Sequence, residues 1–227
     1  MNSLAFEGVV KVILVLVLVS AVVIISRRDI LSLFRSYAAQ SLLLALVAFL
    51  SFIQDGQLVL LYTSVLILVV KGVFIPFILK RAQRGMSIDR DIDFHYLQPS
   101  GSILVSVLVI VGVYAAVADK LKVVSGGSLF LLGAVLGISL TLMGMMVIFS
   151  RRQVISKIVG YLVMENGVVL FSLFVSELPF LIEVLVLMDL VILVVISAIL
   201  AFGMSSSLEE FHKSLNPFHD WFRGGNA

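Results

Sequence analysis

The chain contains no cysteine, which excludes disulfides, thiolate metal sites and cysteine-held iron–sulfur clusters and leaves any redox chemistry to partners. Histidine is nearly as scarce: His95, His212 and His219 are scattered without ligand spacing, so no metal is expected in this chain. Charged residues make up only 13% of the sequence, and no basic-aromatic groove points to nucleic acid. Gly126-Gly127 lacks the Lys and Ser/Thr of a phosphate loop and reads as a turn. What is present is hydrocarbon: 61% of the 227 residues are hydrophobic. A mean hydropathy of +1.18 lies outside the range of soluble domains.

These apolar residues fall in runs long enough to cross the roughly 30 Å hydrocarbon layer as helices. Backbone groups in lipid have no water partner, so the runs must be helices or the strands of a closed barrel, and the unalternating Leu/Val/Ile pattern excludes a barrel. Spans are expected near Val9–Ser26, Tyr37–Ile53, Leu58–Leu79, Ser102–Ala118, Ser128–Ser150, Ile158–Ser176 and Pro179–Gly203, an all-α integral membrane fold of about seven helices. The first is expected to be retained, because Lys11 interrupts its apolar run and Arg27 and Arg28 follow without a small-residue cleavage site. Basic residues cluster in alternate connections: Arg27, Arg28 and Arg35; Lys80, Arg81, Arg84 and Arg90; Arg151, Arg152 and Lys157. The opposite loops are nearly bare, so the positive-inside rule gives the N-terminus outside, the C-terminus inside and a place in the cytoplasmic membrane.

Ser26-Arg27-Arg28 with Ser32 and Tyr37 overlays Ser150-Arg151-Arg152 with Ser156 and Tyr161 at one constant offset. A duplication of three helices joined by a connecting fourth would place the halves parallel, related by an axis along the membrane normal. A cytoplasmic turn would also select Ser-Arg-Arg without duplication. Four parts follow: residues 1–79, a first three-helix unit; 80–127, a cytoplasmic loop and connecting helix; 128–203, a second three-helix unit; and 204–227, a cytoplasmic tail. The loop closes with Gln98-Pro99 after mixed charges and reads as a solvated or docking surface. The tail shows a capping-box pattern at Ser207 and Glu210 and a stop at Asn216-Pro217.

Four ionisable residues lie within the spans: Lys71, Glu165, Glu183 and Asp189. A charge at such depth costs about 2.5–3.5 kcal/mol even on lenient insertion scales, so these residues are expected to face the bundle interior, pair with one another or line an ion path. Burial penalises charge while pairing favours it, the competition a proton relay requires. Pro76 donates no hydrogen bond to the carbonyl of Gly72, which is expected to loosen the third helix beside Lys71. Two readings stand open: Lys71 titrates within a hydrated path, or it forms a static ion pair with Glu165 or Asp189 that serves packing. Glu183 lies nearer the outer end of its helix, and Lys11 is placed to snorkel. Gly133 and Gly137 form a G-x-x-x-G pattern of close helix contact.

The segment from Ser150-Arg151-Arg152 to Gly160-Tyr161-Leu162-Val163-Met164-Glu165-Asn166-Gly167 resembles component E of hydrogenase-4. From about Leu131 to Phe202 the chain is similar to the small K subunit of respiratory complex I and the C subunit of multisubunit Na⁺/H⁺ antiporters. They share a basic turn, the glycine, methionine and asparagine at Gly160, Met164 and Asn166, and a third helix after a proline, here Pro179. The complex I subunit carries its glutamate two residues after the glycine, where this chain has Leu162. Glu165 lies three residues further, roughly on the same helix face and about 4.5 Å away along the axis. The resemblance implies a membrane-arm subunit of a complex I-like group 4 [NiFe] hydrogenase, of the hydrogenase-4 or formate hydrogenlyase type. Nickel–iron and iron–sulfur centres would then sit in peripheral hydrogenase subunits, with antiporter-like membrane subunits and the lipid bilayer as further partners. The chain itself would not be catalytic alone and would hold a proton or sodium path through Glu165, Lys71, Asp189 and Glu183. An antiporter subunit without hydrogenase and a non-transporting scaffold are the alternatives.

Overall fold

A computed structural model describes residues 3–27, 29–85, 99–123, 127–151, 153–175, 187–192 and 194–195. These residues form helices joined by turns, with no strand among them. α1 spans Ser3–Ser26 and α2 spans Ile30–Asp55. The third crossing is composite: α3 at Leu58–Leu66, a π-helical segment at Ile67–Phe74, then α4 at Ile75–Gly85. α5 follows at Pro99–Val123, α6 at Ser128–Ser150 and α7 at Val154–Val175. Among the described residues six helical stretches are long and apolar enough to cross a membrane, so the chain is a multi-pass membrane protein. Residues 187–192 and 194–195 are helical and fall inside the seventh expected span. The remainder of that span, Glu183, Pro179 and the tail after Gly203 lie outside the described residues.

The helices outrun their apolar stretches. α2 begins at Ile30, not at Tyr37, because the carboxylate of Asp29 accepts from the Ser32 backbone N–H at 2.8 Å and caps the first turn. Its other end closes at Gly56, whose φ of 68° is left-handed and costs a glycine little. Hydropathy marks the part of a helix that sits in lipid; caps mark where it starts and stops.

Two contacts tie α1 to α6. At one end, the Lys11 ammonium lies 3.2 Å from Glu7 and donates to the Ser128 hydroxyl at 3.1 Å. At the other, Arg151 donates to the carbonyls of Ile25 at 2.7 Å and Arg27 at 3.0 Å. Those carbonyls belong to the open end of α1, where orphan acceptors and the helix dipole favour a cation. Burial pushes the Arg151 guanidinium down to about 10, which leaves it charged at neutral pH. The Ser26–Asp29 and Ser150–Gln153 turns therefore share one face of the bundle, and α2 and α7 both start there.

α6 and α7 form the most extensive helix pair. Glycines permit it: a Cβ on Gly137 would stand 2.6 Å from the Phe171 backbone nitrogen, and one on Gly160 would stand 2.9 Å from that of Ile148. Gly133 abuts the Phe174 ring, and Gly144 and Gly167 meet the opposing backbone at Met164 and Thr141. In lipid, where apolar surface is no driving force between helices, such backbone approach supplies the packing. Gly137→Val should therefore lower unfolding stability by about 1–3 kcal/mol through overpacking. Gly112→Val, on α5 with nothing within 4 Å of the added carbon, should change it by less than about 0.5 kcal/mol. Reversible unfolding in mixed detergent micelles checks both; equal effects would contradict the packing described.

Candidate functional site: a buried charge cluster

Lys71 sits in the middle of the third crossing, in the π-helical segment. A π turn takes one residue more than an α turn, and the Ile75 N–H donates to the Val70 carbonyl five residues back. Pro76 follows immediately and offers no donor, so one carbonyl of the preceding turn must stay without a helical partner. In α register it is Gly72's; in π register it is that of Lys71 itself. The loosening expected beside Lys71 takes the form of this widened turn. Lys71 is among the largest fully enclosed side chains, with 2% of its surface exposed.

Its ammonium lies 2.9 Å from Glu165 Oε1 of α7 and 3.6 Å from Asp189 Oδ1. Glu165 and Asp189 are buried to 3% and 5% exposure. The structure therefore unites three of the four ionisable residues singled out within the spans; Glu183 lies outside the described residues. Lys11 is separate, part-exposed and paired with Glu7 near the start of α1. The two carboxyls are also within hydrogen-bonding reach of each other. Two carboxylates are both acceptors and repel, and a proton held by one turns that contact into a bond. One ammonium against two carboxylates leaves a charge of minus one, so a single added proton makes the buried cluster neutral.

Neutral polar groups surround it. Asn166, next to Glu165 on α7, donates to Gln40 Oε1 at 3.2 Å and to the Ser41 hydroxyl at 3.3 Å, and Gln40 donates to the Val17 carbonyl at 3.5 Å. Asn166, Gln40 and Ser41 are fully enclosed. Tyr37 on α2 and Tyr161 on α7 both lie within electrostatic reach of Glu165 and Asp189. Tyr161 donates to the Met188 sulfur at 2.8 Å. Sequence reasoning did not single out Gln40, Ser41 or Tyr37 as site residues. Their only signal was polarity inside an apolar span, far weaker than a charge.

Gly160 sets the depth of α7 against α6 at Ile148, and Gly133 and Gly137 pack α6 against Phe174 and Phe171. Packing glycines and charged groups thus share α7. Among the described residues no group of three or more His, Cys, Asp or Glu is placed to hold a metal.

Removing one member of a buried ion pair strands the other charge and costs about 3–5 kcal/mol, whereas removing both costs much less. Lys71→Met should therefore destabilise the chain strongly, and the Lys71→Met/Glu165→Gln double variant should recover part of the loss. A double-mutant cycle read by unfolding in mixed micelles measures this, with a coupling of about 0.5–3 kcal/mol expected. Additive losses would mean that the contact carries no energy.

Comparison with protein-family models, with curated proteins and with solved structures gives no match, so the chemistry of the cluster rests on its geometry.

Proposed function

We propose that this chain is a membrane-arm subunit of a complex I-like group 4 [NiFe] hydrogenase, in which Lys71, Glu165 and Asp189 form part of a proton or sodium path. The observation that carries the reading is the enclosed ammonium between two carboxylates on a π-helical turn. Ionisable groups at bilayer depth mark ion routes more often than ornament, and π segments concentrate at functional sites. Protonation of one acid changes the pairing of the ammonium, and with it the field on neighbouring groups. The sequence likeness at Gly160, Met164 and Asn166 supplies the choice of assembly. Hydrogen chemistry then belongs to peripheral partners with nickel–iron and iron–sulfur centres, and this chain joins them to antiporter-like subunits in the cytoplasmic membrane.

The proposed topology places the N-terminus outside and the basic turns in the cytoplasm, with two parallel like halves. Support for the halves comes from the meeting of their two turns, where Arg151 reaches the carbonyls of Ile25 and Arg27. The static-pair reading draws on the same close contact of Lys71 and Glu165.

Purification of the native assembly from mild detergent should bring nickel, iron and hydrogenase subunits with the chain, and Glu165→Gln should abolish ion movement coupled to hydrogen turnover while assembly persists. Antiporter subunits without metal would assign the chain to an ion exchanger. Intact coupling in assembled Glu165→Gln and Lys71→Ala variants would leave the cluster a scaffold.

A further inference from the structure

The polar groups around the cluster are unevenly distributed along the membrane normal. Glu165 is eleven residues into α7, about 17 Å from its start at the basic-turn face, near the middle of the hydrocarbon layer. Between that face and Glu165 lie two enclosed hydroxyls, Tyr37 on α2 and Ser156 on α7, both 0% exposed. The Ser156 hydroxyl makes no hydrogen bond among the described residues, and the Tyr37 hydroxyl has that of Ser41 as its neighbour. At the level of the cluster, Asn166 Oδ1 is likewise without a hydrogen-bond donor among the described residues, and of the Glu165 carboxylate oxygens it is Oε1 that faces the Lys71 ammonium, at 2.9 Å. Enclosed polar atoms that the protein does not satisfy are ordinarily met by water, which needs several polar partners in reach.

The other half is different. Outward of the cluster, the enclosed hydroxyls of Thr63 and Ser64 donate to the carbonyls of Val59 at 2.8 Å and Ala45 at 3.0 Å. The buried side chains of α2 and α7 on that side include Leu44, Val47, Ala48, Val169 and Leu170. Apolar walls with satisfied hydroxyls offer a water too few partners, even in the cavity of about 470 Å³ that Ala45 and Ser64 help to line.

We propose that water reaches Glu165, Lys71 and Asp189 from the basic-turn face, past Ser156 and Tyr37, and not between the described residues that separate the cluster from the opposite face. The inference deepens the ion-path reading and rests on it for its significance: an ion entering at the basic turns reaches the acids and stops there until the bundle or a neighbouring subunit rearranges.

The absence of native cysteine makes the test direct. Single Ser156→Cys, Ser41→Cys and Ser64→Cys variants of the full chain, in its native assembly, are exposed to a charged, membrane-impermeant methanethiosulfonate in sealed vesicles of each orientation. Ser→Cys is nearly isosteric, and a denatured control verifies each thiol. Labelling of Ser156→Cys and Ser41→Cys from the basic-turn face alone, with no labelling of Ser64→Cys from either face, is the expected result. Inert thiols at both 156 and 41, or labelling of Ser64→Cys from the opposite face, would overturn it. The two proposals fail separately. Coupling that survives Glu165→Gln alongside one-sided labelling removes the ion path and leaves the access; loss of coupling with inert thiols does the reverse.

Discussion

An ammonium in hydrocarbon stands only if something negative meets it, and the core of this bundle depends on that condition at Lys71. Its partners come from two other helices, Glu165 from α7 and Asp189 from the helical stretch at 187–192. Each carboxylate in turn lacks any other cation among the described residues, so all three segments must be in place before any of the charges is tolerable. The electrostatics therefore bind distant parts of the sequence more strictly than apolar packing does. Leu and Val find an equally good solvent in lipid, whereas Lys71 does not.

That demand reaches residues that carry no charge. The height of Glu165 is set by how α7 lies on α6, and this pairing runs through backbone approaches at Gly137, Gly144, Gly160 and Gly167 that a side chain would obstruct. A shift of one helical turn is about 5.4 Å, more than the 2.9 Å that separates Lys71 from Glu165. Asn166 adds a second lock through Gln40 and Ser41, fixing α7 to α2 at the same depth. The glycines give closeness and Asn166 gives register. Neither alone would hold the carboxylate opposite the amine.

How much of this a sequence discloses follows from how loudly each residue departs from its surroundings. Lys71, Glu165 and Asp189 interrupt apolar runs and stand out without any structure, as does Pro76 five residues after Lys71. Which acid meets Lys71 is not legible, because the contact joins residues more than ninety positions apart, and the answer is both. Gln40, Ser41 and Tyr37 were passed over because an uncharged polar group in a span costs far less than a charge and leaves no comparable mark on hydropathy. The start of α2 lies beyond the apolar span for the opposite reason: Asp29 and Ser32 define it by a hydrogen bond, outside the run that hydropathy reads. Proline located the irregular turn of the third crossing, but its π character over Ile67–Phe74 is a matter of tertiary fit.

The unequal count of charges bears on which reading of the cluster is favoured. A packing device is complete with one ammonium and one carboxylate, and Glu165 at 2.9 Å already supplies it. Burying Asp189 at 5% exposure as well adds a desolvation cost with no second cation to offset it among the described residues. The cost falls if the two acids share a proton, since the cluster is then neutral and the carboxyl–carboxyl contact is a hydrogen bond. Such a cluster has two states that differ by one proton and by little else in the fold. In the deprotonated state the ammonium is drawn to both acids; in the protonated state it is held mainly by the one still charged. The π turn that carries Lys71, with Pro76 withholding a donor beside it, leaves backbone carbonyl capacity at the point where that small displacement would occur. The unequal count of charges thus favours the proposed reading, in which the second acid exchanges a proton, over a static brace.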